Sequence, residues 1–202
     1  FSDNYNWEKG EPLLKIALSI RQKVLGEEHP NTANTLTNLA ILYHDQGKYE
    51  QAVKLHLRAL EIREKVLGDK HPDTAASLNN IAIIYVDQGK YDKAEPLFLQ
   101  VLKIWEKVLG VEHPDTALSL NNLANLYVNQ GKYDKAEPMI LRALKIWEKE
   151  ASVEHTDMAL SLYNLAKLYK NQGKYDLAEQ LYIRALDIRE SDLGMEHPAT
   201  AA

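Results

Sequence analysis

One spacing of 42 residues recurs along this chain and limits what it can fold into. The tetrapeptide Gln-Gly-Lys-Tyr places its glycine at Gly47, Gly89, Gly131 and Gly173. The same interval separates five histidines, His29, His71, His113, His155 and His197, and four tyrosines, Tyr43, Tyr85, Tyr127 and Tyr169. Such an interval is typical of a solenoid, in which each unit buries its apolar face only against its neighbours. We therefore expect one array along the 202 residues rather than separate globular domains.

The interval also predicts the repeat boundaries. Four full repeats would cover residues 29–70, 71–112, 113–154 and 155–196. Residues 1–28 resemble the second half of a repeat, because ALSIRQKVLG parallels ALEIREKVLG at 59–68, and residues 197–202 resemble the start of a further repeat. Since stable arrays normally end in atypical capping repeats, we interpret the sequence as a fragment of a longer solenoid.

Each repeat predicts two helices. In the second repeat, Leu78, Ile81, Ala82 and Tyr85 share one face of a helix A that starts near Pro72 and stops before the turn glycine. The next apolar positions repeat with helical spacing and define a helix B: Ala94, Leu97, Val101, Leu102, Ile104 and Val108. The short connections predict antiparallel hairpins. The expected fold class is all-α, a right-handed α-solenoid of helix hairpins, with recurring alanines where helices approach closely.

Composition argues against several classes of function. The formal net charge is only -5, and basic residues alternate with acidic ones instead of forming a stripe, so we expect no nucleic-acid partner. The absence of cysteine removes disulfides and thiolate chemistry and fits the cytoplasm. The apolar run at 81–86 is far shorter than the ~20 residues of a membrane span, so no membrane partner is expected.

The order Ala82, Tyr85, Gly89, Ala94 and Phe98 resembles the tetratricopeptide repeat. A common member of that family has about 34 residues per repeat. The longer unit here, with LNNLA in helix A and ALxIREKVLG in helix B, is similar to the repeats of kinesin light chain and of bacterial kinesin-light-chain-like proteins. The resemblance implies a concave groove, lined by helix A residues, that holds an extended peptide. It also admits another role, because similar repeats form sensor arrays on large signalling ATPases.

A recurring asparagine is the main candidate for peptide contact. It stands at Asn38, Asn80, Asn122 and Asn164, and it is preceded by Thr37, Asn79, Asn121 and Tyr163. Because an amide both donates and accepts hydrogen bonds, a series of amides can hold the backbone of an extended peptide without selecting its side chains. The alternative is that this asparagine bonds the backbone of the adjacent repeat and holds the stacking together.

The positions one turn further on change along the chain. Ile41 and Ile83 are followed at the same place by Asn125 and Lys167; His44, Val86 and Val128 by Lys170; and Asp45 and Asp87 by Asn129 and Asn171. The predicted groove is apolar and slightly acidic at its start and basic at its end. It would suit a protein or peptide ligand with an apolar or aromatic residue at one end and acidic residues at the other. Alternatively, Lys167 and Lys170 only solvate the fourth repeat.

The remaining candidates receive structural interpretations. The five periodic histidines lie a whole repeat apart, so no two can share a metal, and we expect them to fix the start of helix A. Arg63 and Arg189 stand in the flanking repeats at the place of Trp105 and Trp147, so we place the tryptophans at the outer rim. They would pack between successive B helices or, alternatively, form a convex binding patch. His56, Phe98, Ile140 and Tyr182 share another equivalent place, which we interpret as core. The irregular segment KEASVEHTDMA predicts an altered loop or a longer helix end at 150–157.

Two functions remain open. The first is a non-catalytic protein–protein interaction scaffold with a peptide-binding groove, and the second is a structural or sensory array of a larger protein, which could also self-associate through its ends. We expect no cofactor and no metal, and the sequence contains no phosphate-binding loop and no HExxH or GxSxG motif.

Overall fold

The computed structural model describes the backbone of residues 2–149 and 155–193 and the side chains of 10–149 and 156–191. Within these ranges the chain is all-α, as predicted. The helices are α1 Ser2–Val24, α2 Pro30–Asp45, α3 Tyr49–Leu67, α4 Pro72–Asp87, α5 Tyr91–Val108, α6 Pro114–Asn129, α7 Tyr133–Lys149, α8 His155–Asn171 and α9 Tyr175–Leu193. The chain divides into two compact units, residues 1–104 and 105–202. Across the described part of the chain, no helix combines the length and the apolarity needed to cross a lipid bilayer.

The helices follow the hairpin order that the pattern predicts. In the first unit α2 packs against α3, and α1 and α4 pack against this hairpin. In the second unit α6 packs against α7 and α8 against α9, with α7 and α8 in contact between the two hairpins. Thus α2, α4, α6 and α8 are A helices, and the helices between them are B helices.

The periodic histidines cap the A helices. The imidazole Nδ1 of His29, His71 and His113 accepts a hydrogen bond from the backbone N–H two residues later, at 3.1 Å each time. A proline follows as the first helical residue, where its missing N–H leaves no helix hydrogen bond unmade. The cap satisfies one of the N–H groups that every helix start leaves without an internal partner. The predicted role at the helix start is confirmed for these three histidines.

The glycine turn lets each A helix pass directly into its B helix. Gly47 has a φ of 70° and Gly131 a φ of 72°, which is the left-handed region that a Cβ atom disfavours. The following lysine N–H then reaches back to a tyrosine carbonyl, from Lys48 to Tyr43 at 2.8 Å and from Lys132 to Tyr127 at 2.8 Å. The turn therefore needs glycine for its backbone conformation, since a Cβ added there would meet no neighbouring atom.

Small residues occupy the points where helices pack closely. The recurring alanines expected at these points are at most 3% exposed: Ala82, Ala94, Ala124, Ala136, Ala166 and Ala178. In the first unit, Ala33 and Leu36 of α2 form one apolar cluster with Ala59 and Ile62 of α3. Larger side chains at the alanine positions would overpack the core, at a cost of roughly 1 to 3 kcal/mol.

The recurring tyrosine connects a repeat to the B helix before it. The Tyr43 hydroxyl donates to Glu11 Oε1 at 3.0 Å, and the Tyr169 hydroxyl donates to Glu137 Oε1 at 2.8 Å. Burial of the Tyr169 hydroxyl and its bond to Glu137 raise the pKa of Tyr169. The tyrosine therefore has a structural role in holding neighbouring repeats together.

The expectation for the tryptophans was wrong in its location. Trp105 and Trp147 are each 4% exposed, so they lie in the core instead of at the outer rim and leave no convex patch. Trp147 Nε1 donates to Ser161 Oγ at 3.2 Å, so the indole contacts the following A helix, α8. In contrast, Phe98, Ile140 and His56 are at most 1% exposed, which confirms the core interpretation for these three residues. The equivalent Tyr182 is only half-buried, so the interpretation does not hold for it.

The irregular fourth boundary falls mostly outside the described residues. The predicted change covers 150–157, of which the backbone of 155–157 is described. Helix α8 is described from His155 onward, and Thr156 lies within it at the position equivalent to the first proline of α2, α4 and α6.

Candidate functional site

In the second unit, the predicted binding residues lie on the neighbouring A helices α6 and α8. Asn121, Asn122 and Asn125 belong to α6 and Asn164, Lys167 and Lys170 to α8. Two hydrogen bonds join the helices: Asn164 Nδ2 donates to Asn121 Oδ1 at 3.0 Å, and Lys167 Nζ donates to Asn129 Oδ1 at 2.8 Å. These bonds form a polar seam between helices of successive repeats.

The candidates on α6 and α8 differ in how far they reach solvent. Asn121 is 2% exposed and Asn164 is 5% exposed, and their amides bond each other. For Asn164 this favours the alternative in which the recurring asparagine connects repeats, although its partner is the Asn121 side chain and not the backbone. Asn122, Asn125 and Lys167 are half-buried. Lys170 is exposed, and the surface formed by Asn122, Asn125, Lys167 and Lys170 is called here the polar α6–α8 surface.

In the first unit, the corresponding face is formed by α2 and α4 and is more apolar. Asn38 and Ile41 of α2 are exposed, Asn80 and Ile83 of α4 are half-buried, and Asn79 is buried. Asn79 takes part in a further interaction, so its amide is not free. The face therefore offers apolar side chains together with two accessible amides.

A histidine–carboxylate pair that sequence analysis missed crosses from α2 to α4. His44 Nε2 lies 2.6 Å from Asp87 Oδ2, and both side chains are partly exposed. The predicted acidic start of the groove depends on Asp45 and Asp87, and this contact pairs the carboxylate of Asp87 with a histidine. His44 and Asp87 are 43 residues apart, as are the bonded Asn121 and Asn164. Side chains at this spacing lie side by side on neighbouring A helices, so the spacing in the sequence could have revealed the pair.

A buried arginine was also missed. Arg63 is 8% exposed, and its guanidinium donates to Ser77 Oγ at 2.5 Å and to Asn34 Oδ1 at 2.8 Å. Burial lowers the pKa of Arg63, whereas the charge of Asp73 acts in the opposite direction. The arginine joins its own A helix to the next one and is part of the packing.

Several of the described carboxylates and imidazoles take part in ion pairs and helix caps. Among them, no group of three or more histidine, aspartate or glutamate residues is arranged to hold a metal ion. The adjacent carboxylates Glu27 and Glu28 are exposed and pair with Arg58 and Lys65. The lysine lowers the pKa of Glu28, first through their hydrogen bond. An exposed, ionised carboxylate of this kind is suited to an ion pair and not to proton transfer near neutral pH.

Comparison with known proteins agrees with this architecture. The model of the Tetratricopeptide repeat family matches residues 4–65, 37–103, 74–149 and 157–202. The crystal structure of BtubC (BKLC) from P. vanneervenii is similar with a TM-score of 0.78 and 28% identity, over 98% of this chain and 78% of that one. A P. anserina putative kinesin light chain with nearly identical TPR-like repeats gives a TM-score of 0.71 and 28% identity, over 95% and 90%. No curated protein matches the sequence.

Proposed function

We propose that this chain, which belongs to the tetratricopeptide repeat family, binds an extended acidic peptide on its polar α6–α8 surface. Its repeats and its kinesin-light-chain-like neighbours indicate a protein–protein interaction scaffold. The peptide ligand, its acidic character, a non-catalytic role and a cytoplasmic location are parts of the proposal.

One observation carries the proposal. The seam bonds hold α6 and α8 side by side. Lys170 is exposed on α8, three residues after the half-buried Lys167, and Asn125 is half-buried on α6. An extended backbone can bond to the amide, and a carboxylate can pair with the lysines. Because these side chains are already positioned by helices, binding requires little ordering of the protein.

The face on α2 and α4 supports a different preference. Ile41 is 44% exposed and Ile83 is half-buried, and the carboxylate of Asp87 is paired with His44. This face suits an apolar or aromatic side chain of a ligand better than a charged one.

The alternative is a structural or sensory array. The burial of Asn121 and Asn164 favours it, because their amides are used between repeats and are unavailable to a ligand. Under this alternative the recurring asparagine maintains stacking, and the exposed lysine on α8 only solvates the surface.

Peptide display against the whole chain separates the two functions. We expect enrichment of peptides with acidic residues, followed by a loss of at least roughly tenfold in affinity when Asn125→Ala and Lys170→Glu are combined. Lys145→Glu is the matched control, because it reverses an exposed lysine of the same unit on the B helix α7. Equal losses from both variants, or no enrichment, would favour the array.

A further inference from the structure

The bond between Lys167 and Asn129 presents hydrogen-bond donors on the surface of the second unit. Lys167 Nζ lies 2.8 Å from Asn129 Oδ1. Because an ammonium can only donate, this contact fixes the amide with its oxygen toward the lysine. The other polar atom of the amide is Nδ2, which carries two N–H groups, and no described residue accepts a hydrogen bond from it. The pair therefore offers donors from both side chains, while the amide oxygen is already in use.

The charge of Lys167 is not neutralised by its partner. Elsewhere in this unit, Lys149 pairs with the carboxylate of Glu112, whereas Lys167 bonds a neutral amide. Beyond their first turns, helices α6 and α8 contain no aspartate or glutamate. The ammonium is half-buried, and partial burial weakens the screening of its charge by salt. An anion that reaches this position would therefore be attracted to it.

The exposure of Asn129 is a property of the repeat and not of an end of the sequence. Asp45 and Asp87 stand at the equivalent places, and both are exposed although a further A helix follows each of them, as one follows Asn129. In the first unit, the places of Asn129 and Lys167 are taken by Asp45 and Ile83. The donor pair is therefore particular to the second unit.

A further amide lies one helical turn away from the donor pair. Asn125 precedes Asn129 by four residues on α6, so the two side chains share one face of the helix. It is half-buried, and its amide forms no hydrogen bond with the described residues. A peptide backbone that bonds to Asn125 would bring a neighbouring side chain close to the donor pair.

We propose that Lys167 and Asn129 bind the carboxylate of an acidic side chain of the peptide, and that Asn129 makes the site select a carboxylate over a carboxamide. The site rests on the proposed function for its ligand, since the peptide supplies the carboxylate. Both carboxylate oxygens accept hydrogen bonds, so one can meet the ammonium and the other Nδ2. A carboxamide of the same shape has one oxygen and one NH2 group, so one of its ends would meet a donor with a donor.

The side-chain amide signals of Asn129 in NMR spectra of the whole chain test the site with a single carboxylate. The probe is the α-amide of N-acetylglutamate, and the α-amide of N-acetylglutamine is the neutral probe of the same shape. We expect the acidic probe to shift the Asn129 signals saturably, and the neutral probe to shift them at least roughly threefold less at equal concentration. The signals of Asn171, at the equivalent place on α8, should stay unchanged. Unchanged Asn129 signals, or equal shifts by both probes, would overturn the proposal.

An exchange of asparagine for aspartate tests the selectivity with a peptide. An acidic peptide enriched by display is compared with its glutamine counterpart by fluorescence anisotropy. We expect the wild type to prefer the acidic peptide by at least roughly fivefold, and Asn129→Asp to reduce this preference to below about twofold. The new carboxylate keeps an acceptor for Lys167, but it neutralises the charge and donates no hydrogen bond.

A matched variant separates this effect from a general effect of charge. Asn171→Asp adds the same charge to an exposed residue of α8, and it should keep most of the preference. An unchanged preference in Asn129→Asp, or an equal loss in Asn171→Asp, contradicts the proposed role of Asn129.

The site and the proposed function can fail separately. A peptide that binds without any preference for the acidic form removes the site and leaves the proposed function. A response of Asn129 to the small carboxylate, without any enriched peptide, leaves the site and removes the proposed function.

Discussion

Acid should destabilise the first unit through one buried histidine, His56. Its side chain is 1% exposed, and its Nδ1 is buried without a hydrogen-bond partner. Burial, with smaller contributions from the charges of Arg63 and His44, lowers the pKa of His56 to about 4. The imidazole is therefore neutral in the folded chain over a pH range in which it is protonated in the unfolded chain.

The sign and size of the effect follow from proton linkage. Because the folded pKa lies below the unfolded value near 6.5, stability is full above pH 6.5 and declines as the pH falls toward 4. The two values give a loss of about 2 kcal/mol between pH 7 and pH 5 and of about 3 kcal/mol once the pH is below 4. The interval from pH 7 to pH 5 lies above the range in which the paired carboxylates titrate.

Urea unfolding at pH 7 and pH 5 measures this loss, with His56→Phe as the matched variant. Phenylalanine occupies the equivalent core position at Phe98, where it is 1% exposed, so the replacement has a precedent in the same chain. Both proteins are compared by how much their free energy of unfolding falls from pH 7 to pH 5. We expect this fall to be smaller in the variant than in the wild type by at least about 1.5 kcal/mol. The same pH dependence in both proteins would refute the reasoning.

Four further substitutions test the packing. His71→Ala should lower the free energy of unfolding by about 1 kcal/mol in urea, because it removes the α4 cap, and an unchanged midpoint would contradict that role. Ser161→Ala should cost about 1 to 3 kcal/mol by leaving Trp147 without its acceptor, whereas Ser119→Ala, at an unbonded equivalent, should stay within about 0.5 kcal/mol; equal losses would refute this. Gly131→Ala should cost about 1 to 2 kcal/mol in thermal melts because of its positive φ.

The interval of 42 residues was enough to predict the fold. The sequence patterns of the helix cap, the glycine turn and the alanine contact each recur in several repeats. A pattern that would be weak evidence once becomes strong evidence when it recurs at a fixed interval. The histidine caps could be predicted for the same reason, since His71 directly precedes Pro72 just as His113 directly precedes Pro114. The histidines are a whole repeat apart, which argues against a shared metal ion. Local backbone chemistry and periodicity together define these features without tertiary information.

Side-chain direction was harder to predict. The rim position of Trp147 was inferred from arginines at the equivalent place, but Arg63 is itself buried and bonded by Ser77 and Asn34. The inference that a charged residue marks an exposed position was therefore wrong here, because hydrogen bonds allow a guanidinium to be buried. Likewise, Asn121 and Asn122 are adjacent in sequence, yet one is buried and the other is half-buried. A small rotation of the helix decides which amide faces the neighbouring helix, and the sequence does not state that rotation.

The bonds between successive A helices also bear on how the chain can fold during synthesis. Asn164 and Asn121 are 43 residues apart, as are His44 and Asp87. A nascent chain therefore needs to expose only about one more repeat before such a contact can close, and no distant segment has to arrive first. Loop-closure entropy then stays similar for every repeat, so the time needed to form each contact should be nearly independent of the total number of repeats. We expect the N-terminal hairpins to assemble first and each later hairpin to add to them as it leaves the ribosome.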